Sequence, residues 1–93
     1  MILAVKYSAK FKKDFKRMQS QGRDLTKLHT VVEKLANRER LDERYRDHPL
    51  TGNYADCREC HIAPDWLLIY RIENAELVLV LTRTGSHSDL FKS

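Results

Sequence analysis

Apolar positions in the first twenty residues change from a short continuous run to a helical period. Ile2–Tyr7 is mostly apolar and contains β-branched residues, which predicts a buried or half-buried first strand. Ser8 is a suitable N-cap for a helix that extends to about Gln19. The apolar residues of this helix recur at i, i+4 and i+7, as Phe11, Phe15 and Met18. The pattern therefore predicts a strand followed by an amphipathic helix with lysines on its other side.

A second amphipathic helix follows after a short break. Gly22 is predicted to end the first helix, and Asp24 to cap the next one, which extends to about Arg38. The apolar stripe of this second helix consists of Leu25, Leu28, Val31, Val32, Leu35 and Ala36. Two consecutive helices joined by a short glycine-containing link indicate an αα-hairpin packed on a sheet.

The stretch between the helices and the later strands is rich in turn signals. Residues 37–45 are polar and poorly periodic, which predicts a connecting loop. Asp47–Pro49 is predicted to be a turn, because proline restrains the residue before it to extended geometry. Thr51–Asn53 contains a glycine between polar residues and predicts another turn.

The remaining residues alternate as strands do. Strands are predicted at Cys57–Ile62, Trp66–Ile72 and Leu77–Thr84, with connections short enough for antiparallel hairpins. Gly85 breaks the last strand, and Ser86–Phe91 is predicted to be a short turn or a single helical turn. We therefore predict one α+β domain over residues 1–93: a strand, a two-helix hairpin and a three-stranded antiparallel meander, with the helices on one face of the sheet.

Composition and charge narrow the class of protein. The chain has 93 residues, of which 42% are hydrophobic, enough for one core. No run approaches the ~18 apolar residues of a membrane span, and the N-terminus becomes charged too early for a secretory signal, so we expect a cytoplasmic protein. The formal net charge of +4 favours a polyanionic partner or an acidic protein. The first helix is rich in lysine, which by itself is also typical of a well-solvated helix face.

Several groups suited to acid–base chemistry are predicted to share one face of the sheet. Glu59 and His61 are two residues apart on a predicted strand and therefore point to the same side. Asp65 lies at the following turn, and Arg83 and His87 lie on either side of Gly85. The helices can cover only one face, so we expect the other face to carry these polar groups as a working surface.

The two cysteines allow three other interpretations, all less favoured than simple packing. Residues 57–61 match the C-x-x-C-H pattern of c-type haem attachment, but haem attachment normally accompanies export. A zinc site from Cys57, Cys60, His61 and His48 has suitable ligand types, yet residues 57 and 60 of a strand point to opposite faces. A thioredoxin-like redox pair requires a following helix, which is not predicted. We expect no metal and no cofactor.

The remaining residue types are those that metal-free RNA cleavage requires. An imidazole can act as acid or base near neutral pH, and an arginine such as Arg83 can stabilise a phosphoryl oxyanion. Trp66 and Phe91 can stack on bases, although a buried tryptophan is equally ordinary. His29 is expected to be a surface residue, and His48 can simply hydrogen-bond its own turn. From residue chemistry alone, a ribonuclease, a non-catalytic RNA-binding protein and a protein-interaction module all remain open.

A resemblance covers the whole chain and rests on motifs in its second half. They are Asp47-His48-Pro49-Leu50, His61 followed by Pro64-Asp65-Trp66, and Arg83-Thr84-Gly85-Ser86-His87 followed by Leu90-Phe91. In these motifs the chain resembles the YafQ branch of the RelE/ParE toxin superfamily. The resemblance implies a prokaryotic type II toxin that cleaves mRNA in the ribosomal A site and is silenced by a cognate antitoxin protein.

The resemblance also implies roles for particular residues. The implied catalytic set consists of His48, His61, Asp65, His87 and Arg83, with Glu59 at a position where relatives carry another carboxylate. Trp66 and Phe91 stand at aromatic positions that help shape the site or hold the substrate. The basic first helix, with Lys10 and Lys13, is expected to contact ribosomal RNA or an acidic antitoxin segment.

We expect the 2′-hydroxyl to attack the adjacent phosphodiester, with His87 as general acid and Asp65 with His61, or His48, as general base. The assignment of acid and base among the imidazoles stays open. The toxin alone is expected to be a monomer. The alternatives are a ParE-like toxin directed at gyrase and a catalytically silent RNA- or protein-binding module.

Overall fold

A computed structural model of the chain describes residues 2–91. Its strands are β1 (Ala4–Tyr7), β2 (His48–Pro49), β3 (Arg58–Ala63), β4 (Trp66–Glu73) and β5 (Val78–Gly85). Its helices are α1 (Ala9–Ser20), α2 (Leu25–Ala36) and the short α3 (His87–Leu90), and single 3₁₀ turns lie at Glu43–Tyr45 and Gly52–Tyr54. The α+β class and the predicted order of the main elements are confirmed.

Both predicted helix starts are confirmed by their capping geometry. The Phe11 backbone N–H donates to Ser8 Oγ at 2.9 Å, and the Thr26 backbone N–H donates to Asp24 Oδ1 at 3.1 Å. These side-chain oxygens satisfy N–H groups that have no partner within the first helical turn. Helix α2 ends at Ala36, two residues before the predicted end, and Arg38 adopts a left-handed conformation with φ of 59°.

The sheet contains one strand more than the sequence predicts. The strand order is β1-β5-β4-β3-β2, with β1 parallel to β5 and the other pairs antiparallel. The prediction of a turn at Asp47–Pro49 is wrong, because His48 and Pro49 form edge strand β2 opposite Glu59 and Arg58. Proline lacks a backbone N–H and favours extended geometry before it, and both properties suit a sheet edge.

Two hydrophobic clusters lie on opposite faces of the sheet. The larger cluster contains apolar residues of α1 and α2 together with alternate strand residues such as Cys60, Leu68 and Leu79. The smaller cluster contains Cys57, Leu67, Ile69 and Leu90, with Leu50 and Tyr54 packed against it. The expectation that the face away from the helices is a polar working surface is therefore only partly right. The loop after β2 and helix α3 cover part of that face, and polar groups occupy the rest.

Within residues 2–91, the chain forms no helix that is long and apolar enough to cross a membrane.

Candidate active site

One buried carboxylate faces two imidazoles at the β2 edge of the sheet. The Nε2 atom of His48 lies 3.6 Å from Glu59 Oε1, and the Nε2 atom of His61 lies 3.7 Å from the same oxygen. Glu59 is only 3% exposed, and the two imidazole ring centres are 6.4 Å apart. Glu59 and His61 share a face because they are two residues apart on β3, while His48 is the cross-strand partner of Glu59. The three side chains thus form a compact group that can exchange and hold protons.

The other ring nitrogen of His48 is held by the backbone. His48 Nδ1 lies 2.8 Å from the carbonyl oxygen of Arg46. A carbonyl only accepts hydrogen bonds, so Nδ1 carries a proton and donates it. Nε2 is the nitrogen of His48 that faces Glu59. Arg46 reaches this geometry in a left-handed conformation with φ of 49°, which is uncommon for a residue with a side chain.

The cross-strand register places Arg83 in the same row as this group. His48 pairs with Glu59, Glu59 pairs with Ile69, and Ile69 pairs with Arg83, across β2, β3, β4 and β5. Since neighbouring strands are about 4.8 Å apart, the backbones at Glu59 and Arg83 are separated by roughly 10 Å. The backbone register therefore starts the side chains of an acid–base group and of a cation on one face of the sheet, at a separation comparable to the size of a nucleotide.

Arg83 is held by a carboxylate from the first helix. Its Nε donates to Asp14 Oδ2 at 2.7 Å and its Nη2 donates to Asp14 Oδ1 at 3.1 Å. The hydrogen bonds to Asp14, with a further contribution from Tyr54, raise the pKa of Arg83 above its already high ordinary value. Arg83 is therefore a permanent cation at this site.

Asp65 and His87 meet at the end of the sheet where the β3–β4 turn approaches helix α3. Asp65 adopts a left-handed conformation with φ of 54°, and its Oδ1 accepts a hydrogen bond from the His87 backbone N–H at 3.1 Å. The His87 ring lies 5.2 Å from the exposed ring of Phe91, measured between ring centres, and Phe91 lies edge-on to Tyr54 at 6.3 Å. The hydrogen bond from the His87 backbone to Asp65 thus orients the segment that carries His87. Both Asp65 and His87 remain exposed.

Trp66 does not occupy a position from which it can stack on a base. It is 2% exposed and belongs to the cluster beneath the helices, and its Nε1–H donates to Thr84 Oγ1 at 2.9 Å. The guanidinium of Arg23 lies over its ring, 5.4 Å from the centre. Of the two roles implied for Trp66, this burial agrees with shaping the site through packing and not with direct contact to a base. Among the other predicted substrate contacts, Phe91 is 40% exposed, and Lys10 and Lys13 are exposed on α1.

A basic cleft adjoins His61 and contains residues that no sequence motif indicates. The cleft has a volume of about 700 Å³ and lies between α2, the 3₁₀ turn at Glu43–Tyr45 and the β3–β4 turn. It is lined by Lys27, Thr30, Arg44, Tyr45, Arg46, His61, Ile62, Ala63, Pro64 and Asp65. Arg44 is fixed there, because its guanidinium lies 4.9 Å from the centre of the Tyr45 ring and its Nη2 donates to the Tyr45 hydroxyl at 3.0 Å. The cations come from separate elements, and sequence spacing alone does not bring them together.

The two cysteines lie on opposite faces of the sheet and cannot share a metal ion. Cys57 belongs to the smaller hydrophobic cluster and Cys60 to the larger one. Burial is the main reason that the pKa of each thiol is raised. Cys57 precedes β3 rather than lying within it as predicted, but the expected placement of the two cysteines on opposite faces is confirmed. Both cysteines pack as small apolar residues.

Comparisons with known proteins agree with this architecture and identify its family. A family model described as "Bacterial toxin of type II toxin-antitoxin system, YafQ" matches residues 3–92. The chain belongs to the YafQ toxin family. The mRNA interferase toxin YafQ of Escherichia coli K12 is 38% identical over 88 residues, which are 94% of each chain.

Solved structures of YafQ proteins and their relatives have the same fold. A metal-bound toxin from Helicobacter pylori is 48% identical, with a TM-score of 0.91 over 97% of this chain and 100% of that one. YafQ in the E. coli DinJ–YafQ toxin–antitoxin complex is 36% identical, with a TM-score of 0.87 over 98% of this chain and 99% of that one. The predicted family and the YafQ-like fold are thereby confirmed.

Proposed function

We propose that the chain is a ribosome-dependent endoribonuclease that cleaves mRNA in the A site and so inhibits translation. The observation that carries the proposal is the row of His48, Glu59 and Arg83 across one face of the sheet, with His61 beside it. This row combines proton-transfer groups with a permanent cation. The E. coli relative named mRNA interferase toxin supports the same chemistry.

The proposed reaction is attack of a 2′-hydroxyl on the adjacent phosphorus. The bond from phosphorus to the 5′-oxygen breaks, which leaves a 2′,3′-cyclic phosphate and a 5′-hydroxyl. His61 or His48 accepts the proton of the 2′-hydroxyl, with the Glu59 carboxylate stabilising the resulting imidazolium. His87 donates a proton to the departing 5′-oxygen, and Arg83 stabilises the charge that develops on the phosphoryl oxygens.

Asp65 contributes to this proposal in two ways. Its Oδ1 holds the backbone N–H of His87, so it sets the position of the proposed acid. It also lines the same cleft as His61, which is consistent with the predicted support of the base. A single acid or base typically contributes about 10²- to 10⁴-fold to the rate, so a variant without one imidazole is expected to keep residual activity.

We propose that the RNA approaches through the basic cleft next to His61. Lys27, Arg44 and Arg46 can each neutralise a backbone phosphate, and the stacking of Arg44 on Tyr45 reduces the entropy lost on binding. Lys10 and Lys13 lie on α1, away from this cleft, and are proposed to contact ribosomal RNA or an acidic segment of the antitoxin. Phe91, which is exposed beside His87, is proposed to stack on a base.

The proposed protein partner is a cognate antitoxin. The E. coli YafQ protein forms a complex with the DinJ antitoxin, and this chain matches that YafQ chain over nearly its full length. We propose a prokaryotic cytoplasmic toxin that is monomeric when free and blocked when its antitoxin is bound.

The reaction is proposed to need no metal ion. The H. pylori relative is a metal-bound toxin, and the proposal for this chain is that cleavage proceeds without a bound metal ion. The side chains described above can supply the base, the acid and the cation without one. This part of the proposal is tested directly with a chelator.

The test is cleavage of a defined mRNA on programmed ribosomes, with the new ends mapped, in the presence and absence of EDTA. His87→Ala is compared with His29→Ala, a matched control because His29 is an exposed helix residue that contacts only Glu33 in the described network. We expect EDTA-resistant cuts in the A-site codon, slowed at least about 100-fold in His87→Ala and unchanged in His29→Ala.

Absence of cleavage by folded wild-type protein refutes the ribonuclease proposal. Binding assays with the antitoxin and inhibition assays with gyrase then distinguish the binding module from the gyrase-directed toxin. Cleavage that EDTA abolishes refutes metal independence alone.

A further inference from the structure

Asp14 is a buried carboxylate in the middle of the lysine-rich helix α1. It is 2% exposed and accepts four hydrogen bonds: two from Arg83, one from Arg17 Nη2 at 2.9 Å and one from the Thr84 backbone N–H at 3.2 Å. A carboxylate this deeply buried is costly unless it is fully paired, and here both oxygens have partners. Asp14 is therefore a specific anchor for the end of β5.

The pair with Asp14 uses one edge of the Arg83 guanidinium, whose side chain is 17% exposed and also interacts with Tyr54. Asp14 accepts hydrogen bonds from the N–H of Nε and from one N–H of Nη2, and these two groups form one edge of the planar guanidinium. The Nη1 side is not part of this pair and can donate to a phosphate. A bidentate pair also fixes the plane of the guanidinium, so the direction of the remaining donors is set before a substrate binds.

The local charge balance preserves the positive charge that the reaction needs. Two carboxylates, Asp14 and Asp89, face three arginines, Arg17, Arg23 and Arg83, so the cluster keeps a net positive charge. An isolated Asp–Arg pair would cancel the charge of Arg83, whereas this arrangement orients Arg83 without cancelling it. Arg17 also lies 3.9 Å from Asp89, whose side chain belongs to the capping box of α3. The same turn of α1 therefore contacts both the Arg83 strand and the helix that begins with His87.

We propose that Asp14 is a positioning residue that aims Arg83 at the scissile phosphate. This inference rests on the proposed ribonuclease function. It gives Asp14 no contact with the substrate, and its effect on the rate passes through Arg83. It also predicts that a lysine does not substitute for Arg83, since a single ammonium group cannot hold a bidentate pair with Asp14 and present a second edge to a phosphate.

The test is a double-mutant cycle in single-turnover cleavage on programmed ribosomes. Asp14→Asn and Arg83→Ala are measured singly and together, and each variant is checked for folding by circular dichroism and urea unfolding. We expect Asp14→Asn to lower the rate of the chemical step by about 10- to 100-fold in the wild-type background, with little change in the concentration needed for half-maximal rate. In the Arg83→Ala background the same substitution is expected to change the rate by less than about threefold.

Asp14→Glu provides a second variant if Asp14→Asn does not fold. It keeps the negative charge but moves the carboxylate by one methylene group, so it is expected to lower the rate as well while remaining closer to wild type in stability. A rate for Asp14→Glu equal to wild type overturns the positioning role.

The outcomes separate this inference from the proposed function. If wild type cleaves and Asp14→Asn lowers the rate equally in both backgrounds, Asp14 has only a structural role and the inference is wrong. If folded wild type does not cleave, the proposed function is wrong and the positioning role fails with it.

Discussion

Replacing Trp66 by phenylalanine separates a packing role from a substrate-binding role. The substitution keeps an aromatic ring but removes the indole N–H, which donates to Thr84 Oγ1 at 2.9 Å in a fully buried environment. Thr84 is 0% exposed and its hydroxyl donates to the Leu67 carbonyl, so its acceptor position loses its only described donor. A buried polar group left without its partner costs about 1–3 kcal/mol.

The smaller ring adds a packing cost to the lost hydrogen bond. Trp66 is 2% exposed, so the volume that phenylalanine leaves empty lies inside the core. Together the two effects are expected to reduce the free energy of unfolding by about 2–4 kcal/mol. That is a large part of the roughly 5–15 kcal/mol that stabilises a domain.

The assay is urea unfolding followed by circular dichroism, because Trp66 is the single tryptophan and its fluorescence is lost with it. Thr84→Val and the double variant complete a double-mutant cycle. The double variant is expected to lose less unfolding free energy than the sum of the losses in the two single variants. Cleavage per folded molecule is expected to stay within about threefold of wild type, because the indole does not contact the substrate. A stability change below about 0.5 kcal/mol together with a large loss of cleavage would refute this reasoning and indicate that Trp66 contacts the substrate.

Three further predictions follow from buried or capped groups. Hydrogen bonds from Ser86, with the nearby arginines, hold the pKa of Asp89 below its ordinary 3.8. The ionised Asp89 carboxylate therefore stabilises the fold fully above about pH 4, and this stabilisation is lost as the pH falls below that value. Asp89→Asn is therefore expected to destabilise the protein at pH 7 and much less at pH 3 in urea unfolding, and an equal loss at both pH values would contradict the assignment. Cys57 and Cys60 are 4% and 0% exposed, and burial raises the pKa of each thiol. Both are therefore expected to resist alkylation by N-ethylmaleimide until urea unfolds the protein. Rapid labelling of the native protein, detected by mass spectrometry, would contradict their burial. Tyr70→Phe removes the hydroxyl that donates to Asp47 Oδ1 at 2.7 Å and is expected to cost about 1–2 kcal/mol of unfolding free energy, a prediction that fails if the urea midpoint is unchanged.

The predictions that held are those that depend on residues close together in the chain. Ser8 and Asp24 were recognisable as caps because a cap acts on N–H groups two or three residues later. Glu59 and His61 were placed on one face because the side-chain period of a strand is two. The family motifs around His87 were recognisable for a similar reason, since their spacing is a property of the sequence alone.

One signal for a missed residue was already present in the sequence. Asp14 lies three residues after Phe11 and four before Met18, within the apolar stripe of α1, so its side chain is on the buried face. An acidic residue at such a position needs a buried partner, although the sequence does not say which cation supplies it.

The tertiary structure decided which distant groups meet. Arg83 is 69 residues from Asp14, and their contact depends on how α1 packs against the end of β5. The pairing of His48 with Glu59 required Asp47–Pro49 to extend as an edge strand, and the burial of Trp66 depended on which sheet face the helices cover. Local periodicity constrains neighbours along the chain, whereas strand order, register and the covered face are set by packing free energy summed over the whole domain. The sequence by itself therefore determined the elements, the family and most of the chemical groups, and the fold alone determined how those groups are oriented toward one another.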